Sequence, residues 1–165
     1  MSAIALERAR KIAEGIVELL KPYCKRIEGG RFYIEVAGSI RRQKPWVNDI
    51  DLVLVPKDLW NLHAELAKLG QMKMSGSKIM RVMYGSIQVD VYIADESTWA
   101  TLLLIRTGSA QNNIRLATLA KKKGWHLAAS GDGLFNETGE RIAGDTEESI
   151  YEALGVPWQE PWERR

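Results

Sequence analysis

VAGSIRRQKPWVNDIDLVLV, residues 36–55, decides how the rest of the chain is read. From Asp49 to Val55 aliphatic and β-branched residues dominate, the pattern of a β-strand. Residues two apart on a strand share a face, so Asp49 and Asp51 stand side by side while Ile50 and Leu52 point the other way. Two adjacent carboxylates repel, and their joint ionisation is costly unless a cation lies between them. Magnesium suits that place, because it takes hard oxygen ligands and is often held by one or two carboxylates plus phosphate oxygens. The first half of the stretch supplies the phosphate side. A strand over Phe32 to Ala37 ends at Gly38-Ser39, where glycine lets the backbone approach a ligand closely. Ser39 is expected to cap a helical turn starting at Ile40, whose free N–H groups suit an anion. Arg41 and Arg42 add fixed positive charge, and arginine grips phosphate in a bidentate way.

An Asp-x-Asp pair by itself is most often two solvated surface acids. A third acid sets this one apart. Arg81 to Tyr84 and Ile87 to Ile93 read as a hairpin around Gly85-Ser86, a favoured two-residue turn, and Asp90 sits inside its second arm. Val89 and Val91 take one face, and Gln88, Asp90 and Tyr92 the other. An acid within an apolar strand is expensive unless paired or metal-bound; the bland alternative is an exposed sheet face.

Composition sets the bounds. At 165 residues, with 45% hydrophobic and 27% charged residues, the chain is long enough for a core and ordinary for a water-soluble fold. A net charge of +2 permits nucleic-acid binding without demanding it, so any basic surface must come from segregation of charge. Cys24 is the only cysteine, which excludes an intramolecular disulfide and fits a reducing compartment. No apolar run approaches a membrane span, no signal-peptide core is expected, and there is no internal repeat.

Upstream, Ser2 to Lys21 reads as a helix whose Leu6, Ala9, Ala13, Ile16 and Leu20 make one apolar face, stopped by Pro22. Gln43 to Asn48 is a polar loop in which Trp46 is expected to cover a core edge, with base stacking as the alternative. Asp58 is expected to cap a helix over Leu59 to Leu69, with Leu59, Leu62, Leu66 and Leu69 buried and His63 at the surface. Met72 to Met83 is harder to read, and Gly76-Ser77-Lys78 is not a Walker-type phosphate loop. Trp99 to Ile105 reads as a short apolar helix. Arg106-Thr107-Gly108-Ser109 then opens a longer one that ends at Lys121-Lys122-Lys123, cations that decorate a helix C-terminus or contact a phosphate backbone. Three short strands follow: Trp125 to Ala128, Gly133 to Phe135 and Glu140 to Ile142. A helix over Thr146 to Leu154 comes next, with Asp145 and Glu148 as its expected capping pair. The end is expected to run extended, with Trp158 and Trp162 packing it down.

AGSIRR, NDIDLVLV, IQVDVYIA and RTGSAQNNIRL together resemble the nucleotidyltransferase superfamily and, within it, the family X or polymerase beta-like DNA polymerases. The likeness runs from Ile34 to the C-terminus. It implies an α+β fold with two parts. Residues 1–105 would form a nucleotidyltransferase palm with a mixed β-sheet backed by helices. Residues 106–165 would form a small α+β, thumb-like subdomain that binds nucleotide and DNA. It also implies template-directed filling of short gaps in DNA repair, with a deoxynucleotide passing from a dNTP to a primer 3′-hydroxyl and pyrophosphate released. Asp49, Asp51 and Asp90 would be the catalytic and metal-binding carboxylates for two Mg2+ ions, which Mn2+ can replace. Asp90 would serve only the ion at the primer hydroxyl and accept its proton.

By the same resemblance Gly38, Ser39 and Arg42 would contact the phosphates, and Thr107 and Gly108 would pass the nucleotide sugar. Asn113 would read the minor-groove edge of the new base pair, where acceptors are present in every pair orientation. Arg115 would lie near the nascent pair or template; Lys121 and Lys122, from their charge alone, are the candidates for a DNA backbone contact or for a helix C-terminal decoration. Read locally, the 106–115 stretch fits a capped surface helix equally well. The implied partners are gapped or primer-template DNA and a dNTP, with no membrane. The implied setting is a monomer in the cytoplasm or nucleoid of a bacterial or viral system.

Two departures stand out. The family places an aromatic pair before Thr-Gly-Ser, where this chain has Ile105 and Arg106, which leaves sugar discrimination open. Tyr92 replaces a basic residue two after the third acid, which leaves the charge support of Asp90 open. No deoxyribose-phosphate lyase domain and no helix-hairpin-helix signature are expected. Two other readings remain: a template-independent or small-molecule nucleotidyltransferase, and a nucleic-acid-binding module without chemistry. Three clustered acids argue against the last, since an anionic cluster repels phosphates.

Overall fold

A computed structural model describes residues 3–165. Ser2, the expected start of the N-terminal helix, lies outside the described residues. In chain order the elements begin with β1 (Ile4–Ala5), α1 (Leu6–Leu20), β2 (Ile34–Val36), α2 (Gly38–Arg41), β3 (Trp46–Val47) and β4 (Asp49–Leu54). They continue with α3 (Leu59–Ala67), β5 (Gln71–Ser75), β6 (Ile79–Tyr84), β7 (Ile87–Ile93), α4 (Trp99–Thr107) and α5 (Ala110–Lys122). The C-terminal part adds β8 (His126–Leu127), β9 (Leu134–Phe135), β10 (Arg141–Ala143) and α6 (Glu147–Leu154).

The centre is a five-stranded mixed sheet in the order β2-β4-β7-β6-β5. Only β4 and β7 run parallel; the other pairs are antiparallel. The alternation read from the sequence gives the sheet two unlike faces. On one, Ile50, Leu52 and Leu54 of β4 join Val89 and Val91 of β7 in a core closed by Ala9, Ala13, Ile16 and Leu20 of α1 and Leu62 and Leu66 of α3. On the other, Val53 packs with Leu102 and Leu103 of α4. By strand parity Asp49 and Asp51 lie on this second face, beyond the part that α4 covers.

A separate core holds the C-terminal part: Leu104 from α4, Leu116 and Ala120 from α5, Leu127 and Leu134 from the small sheet, and Ile150, Tyr151 and Leu154 from α6. The small sheet is antiparallel in the order β10-β9-β8. α4 therefore feeds both the second face of the large sheet and this core. Among the described residues no helix is long and apolar enough to cross a membrane.

Several local expectations change. The N-terminal helix begins at Leu6, because Ile4 and Ala5 pair with Val47 and Trp46. That pairing turns Trp46 outward, 64% exposed, so it covers no core edge. Ser39 lies inside α2, whose N-cap is Ala37 without a side-chain bond. The unreadable Met72–Met83 region contains an edge strand, β5. Leu59 stays exposed and only Leu62 and Leu66 are fully buried on α3, which Asp58 caps through the Asn61 N–H as expected. Thr146 and Ser149 form the capping box of α6, whereas Asp145 pairs with Arg141. Trp158 packs edge-on against Tyr151, but Trp162 is 49% exposed, and a short helical turn over Pro161–Glu163 interrupts the extended tail.

Candidate active site

The parallel register sets Asp51 directly beside Asp90, with Asp49 beside Gln88. Residues 39 positions apart in sequence thus share one face of neighbouring strands. Asp90 is buried, and Asp49 and Asp51 are half-buried. The crowding shows in their acidity. Burial, then the charges of Asp90 and Asp49, push the Asp51 carboxyl up to about 7, against the opposing pull of Arg106 and Arg42. Asp49 is raised by burial and by Asp90, with Arg81 opposing.

Arginines answer these acids. Arg81, opposite Asp90 on β6, donates from Nε to Oδ1 at 2.6 Å and from Nη2 to Oδ2 at 3.4 Å, while Gln88 donates to Oδ2 at 3.1 Å. Sequence reading gave Arg81 no role; its signal was a cation in register with a buried acid across a hairpin. Arg106 lies over the Tyr92 ring, its guanidinium carbon 4.1 Å from the ring centre. The two departures at positions 92 and 106 are therefore one contact.

The acids floor a cleft of about 570 Å³. Gly38, Ser39, Arg42, Lys44, Trp46 and Asn48 line it from the loop side, and Ile105, Arg106, Gly108, Ala110 and Asn113 from the C-terminal side. Gly38 is required where it stands: at φ +60° an added Cβ would overlap Oδ2 of Asp51. Arg42 donates from Nη1 to the Thr107 carbonyl at 2.7 Å, and its Nε is buried without an acceptor. Asn113 spends Nδ2 on the Ile105 carbonyl at 2.9 Å and leaves Oδ1 buried without a donor.

The remaining expected site residues lie elsewhere. Thr107 is fully buried, its hydroxyl accepting from Arg41 and its carbonyl from Arg42, so it supports the cleft from behind. Arg115 is exposed and bonded to Asn112 and Gln159, and Lys121 and Lys122 are exposed at the end of α5; none of the three lines the cleft. Arg41, expected to add charge beside the phosphate grip, turns away to Glu147 on α6, with Nη2–Oε1 at 2.7 Å and Nη1–Oε2 at 2.9 Å. Arg164, 0% exposed, closes the same carboxylate at 2.8 Å. These two arginines outweigh burial and hold Glu147 below the usual carboxylate range.

The donor set suits a divalent cation: three carboxylates, all hard oxygen, on adjoining strands, with Asp49 and Asp51 made harder to ionise by burial and by their acidic neighbours. Among the described residues no three such side chains already converge as a cage, and Asp90 has both oxygens engaged by Arg81 and Gln88.

The mixed sheet thus bears three acids on one face beside a Gly-Ser helical turn. Residues 102–165 match the family model of the DNA polymerase beta thumb. The chain is 28% identical over 155 residues to the DNA polymerase/3′-5′ exonuclease PolX of Bacillus subtilis, covering 90% of this chain and 26% of that protein. It is 31% identical over 86 residues to DNA polymerase lambda of Rattus norvegicus, covering 47% of this chain and 15% of that protein. The chain thus spans about a quarter or less of these relatives' lengths. In fold it is similar to polymerase beta of Leishmania infantum solved as a ternary P/T complex, with a TM-score of 0.79 at 19% identity over 99% of this chain and 77% of that one. The chain is thus similar to members of family X, the polymerase beta-like group, in sequence and in fold.

Proposed function

We propose that the chain is a template-directed DNA polymerase that extends a primer into short gaps from a dNTP, with residues 1–105 as palm and residues 106–165 as thumb. The observation that carries this reading is the register of Asp51 with Asp90, which puts three carboxylates beside the Gly38-Ser39-Arg42 turn in one cleft. Asp49 and Asp51 would hold two divalent ions, Mg2+ or Mn2+, and Asp90 one of them. Bound there, such ions acidify the primer hydroxyl and offset charge on the triphosphate.

The chain's own groups do the rest. Gly38 clears the backbone for the Asp51 carboxylate, and the Arg42 guanidinium, which lines the cleft, takes a phosphate oxygen. Asp90 takes the proton from the primer hydroxyl. Gly108, at φ +72°, lets the backbone run close to the nucleotide sugar without a side chain in the way. Asn113, fixed to Ile105, presents the base-pair edge with its remaining N–H. Arg115, Lys121 and Lys122, all exposed outside the cleft, are left for duplex phosphates.

Extension of a labelled primer on gapped, nicked and single-stranded DNA, with magnesium or manganese, tests the reading. Templated insertion into the gap supports it. Insertion indifferent to the template base points to a template-independent transferase, and binding without insertion to a non-catalytic module.

A further inference from the structure

We propose that Arg81 is a positioning residue that occupies Asp90 until a nucleic-acid strand draws its guanidinium away, so that cation binding at Asp90 waits for DNA. The inference rests on the polymerase reading for the identity of the strand. Its structural basis is separate. Arg81 and Asp90 are register partners on β6 and β7, and the guanidinium forks across both carboxylate oxygens. Gln88 adds a further donor to Oδ2. A guanidinium and a divalent cation need the same oxygen lone pairs, so the two compete for Asp90.

The pair is unequal in exposure. The Asp90 side chain is 4% exposed and that of Arg81 32%. The acid cannot leave, since its alternatives are Asp51 and Asp49, which repel it. The arginine can leave, because part of its charge already meets solvent. Of the cations around the acids, Arg42 is bonded to the Thr107 carbonyl and Arg106 is stacked on Tyr92. Arg81 alone among these three forms an ion pair with one of the acids. A phosphodiester laid beside β6 offers it an equivalent charge-assisted fork in water, and Asp90 is then free to take a metal. Position 81 thus supplies, from the neighbouring strand, the charge support that Tyr92 does not.

Mn2+ binding to the DNA-free protein, followed by the electron paramagnetic resonance of free Mn2+, tests this without turnover. Wild type, Arg81→Gln, Arg81→Lys and Lys78→Ala are compared. Gln keeps a donor without charge, Lys keeps charge without the fork, and Lys78 is a nearby exposed cation that makes no bond to Asp90. Arg81→Gln is expected to bind Mn2+ about tenfold tighter than wild type, the order of one charge removed from beside a carboxylate. Arg81→Lys should fall between them, and Lys78→Ala should stay within about twofold of wild type, as an exposed charge screened by solvent. Dideoxy-terminated primed DNA should then tighten Mn2+ binding to wild type and leave Arg81→Gln unchanged. Equal DNA-free affinity in wild type and Arg81→Gln overturns the proposal, and so does equal tightening by Lys78→Ala. Should Arg81→Gln not fold, Arg81→Lys decides, and its matching wild type with and without DNA overturns the proposal. Failure of the polymerase reading is seen differently: wild type inserts no nucleotide on any DNA, whatever its Mn2+ affinity.

Discussion

Arg41 on α2 and Glu147 on α6 meet through two hydrogen bonds, of 2.7 and 2.9 Å, and join the phosphate-side turn to the C-terminal core. Arg164, fully buried, completes the cluster at 2.8 Å while stacking near Tyr151 and Trp158. Removing the shared carboxylate would leave the buried Arg164 without its ion-pair partner and Arg41 with only the longer-range charges of Glu35 and Glu148.

Glu147→Gln is therefore expected to destabilise the fold by about 3 kcal/mol, the scale of one partner lost from a buried ion pair. Its pH dependence has a definite sign. The Glu147 carboxyl lies below its ordinary value of 4.5 when folded, so its contribution is present above that pH and is lost as pH falls. Urea midpoints for wild type and variant should converge towards acid pH.

Asp51 has the opposite sign. Its carboxyl is raised from 3.8 to about 7, so the folded chain binds the proton more tightly than the unfolded chain between those values. Stability without divalent ions should fall as pH rises through that window. Asp51→Asn should flatten the slope in urea denaturation measured with chelator present.

Gly38→Ala tests the closeness of backbone and carboxylate. An added Cβ overlaps Asp51 Oδ2, and the left-handed backbone at φ +60° adds about 1 kcal/mol of strain. Nucleotide insertion should drop by about tenfold or more as the carboxylate is displaced, while the far-UV dichroism spectrum stays that of wild type.

Arg106 pulls the Asp51 carboxyl down from where burial would set it. Arg106→Leu should move the acidic limb of the pH–rate profile upward, by up to about one unit for a neighbouring charge. A profile unchanged in pH and lowered only in height would assign Arg106 a purely structural part through its stacking on Tyr92.

The parts of the fold that sequence revealed were those whose physics is local. β4 was legible because aliphatic and β-branched residues dominate it, and Asp90 because an acid is costly within an apolar strand. The turn at Gly85 and the Asp58 cap were legible from their own residue types. What stayed hidden depends on partners far along the chain. Glu147 takes Arg41 from 106 residues away, and nothing near either marks the other. β5, QMKMS, alternates polar residues with methionine over only five positions, stays largely exposed, and exists through its pairing with β6. The exposure of Trp46 follows from pairing with a two-residue strand near the N-terminus. Within the site, the acids and the Gly38-Ser39-Arg42 turn could be named in advance, whereas Arg81 and Arg106 needed the sheet register and the packing of α4.

The most direct test of the carboxylate cluster is single-nucleotide insertion into a gapped duplex by wild type and Asp90→Asn, with DNA affinity measured in parallel. The expected result is an insertion rate lower in the variant by about 10²–10⁴-fold with DNA affinity unchanged, as for loss of a group that handles the reacting proton. Equal insertion by the two proteins would contradict a role for Asp90 in the chemistry, and with it the three-carboxylate site.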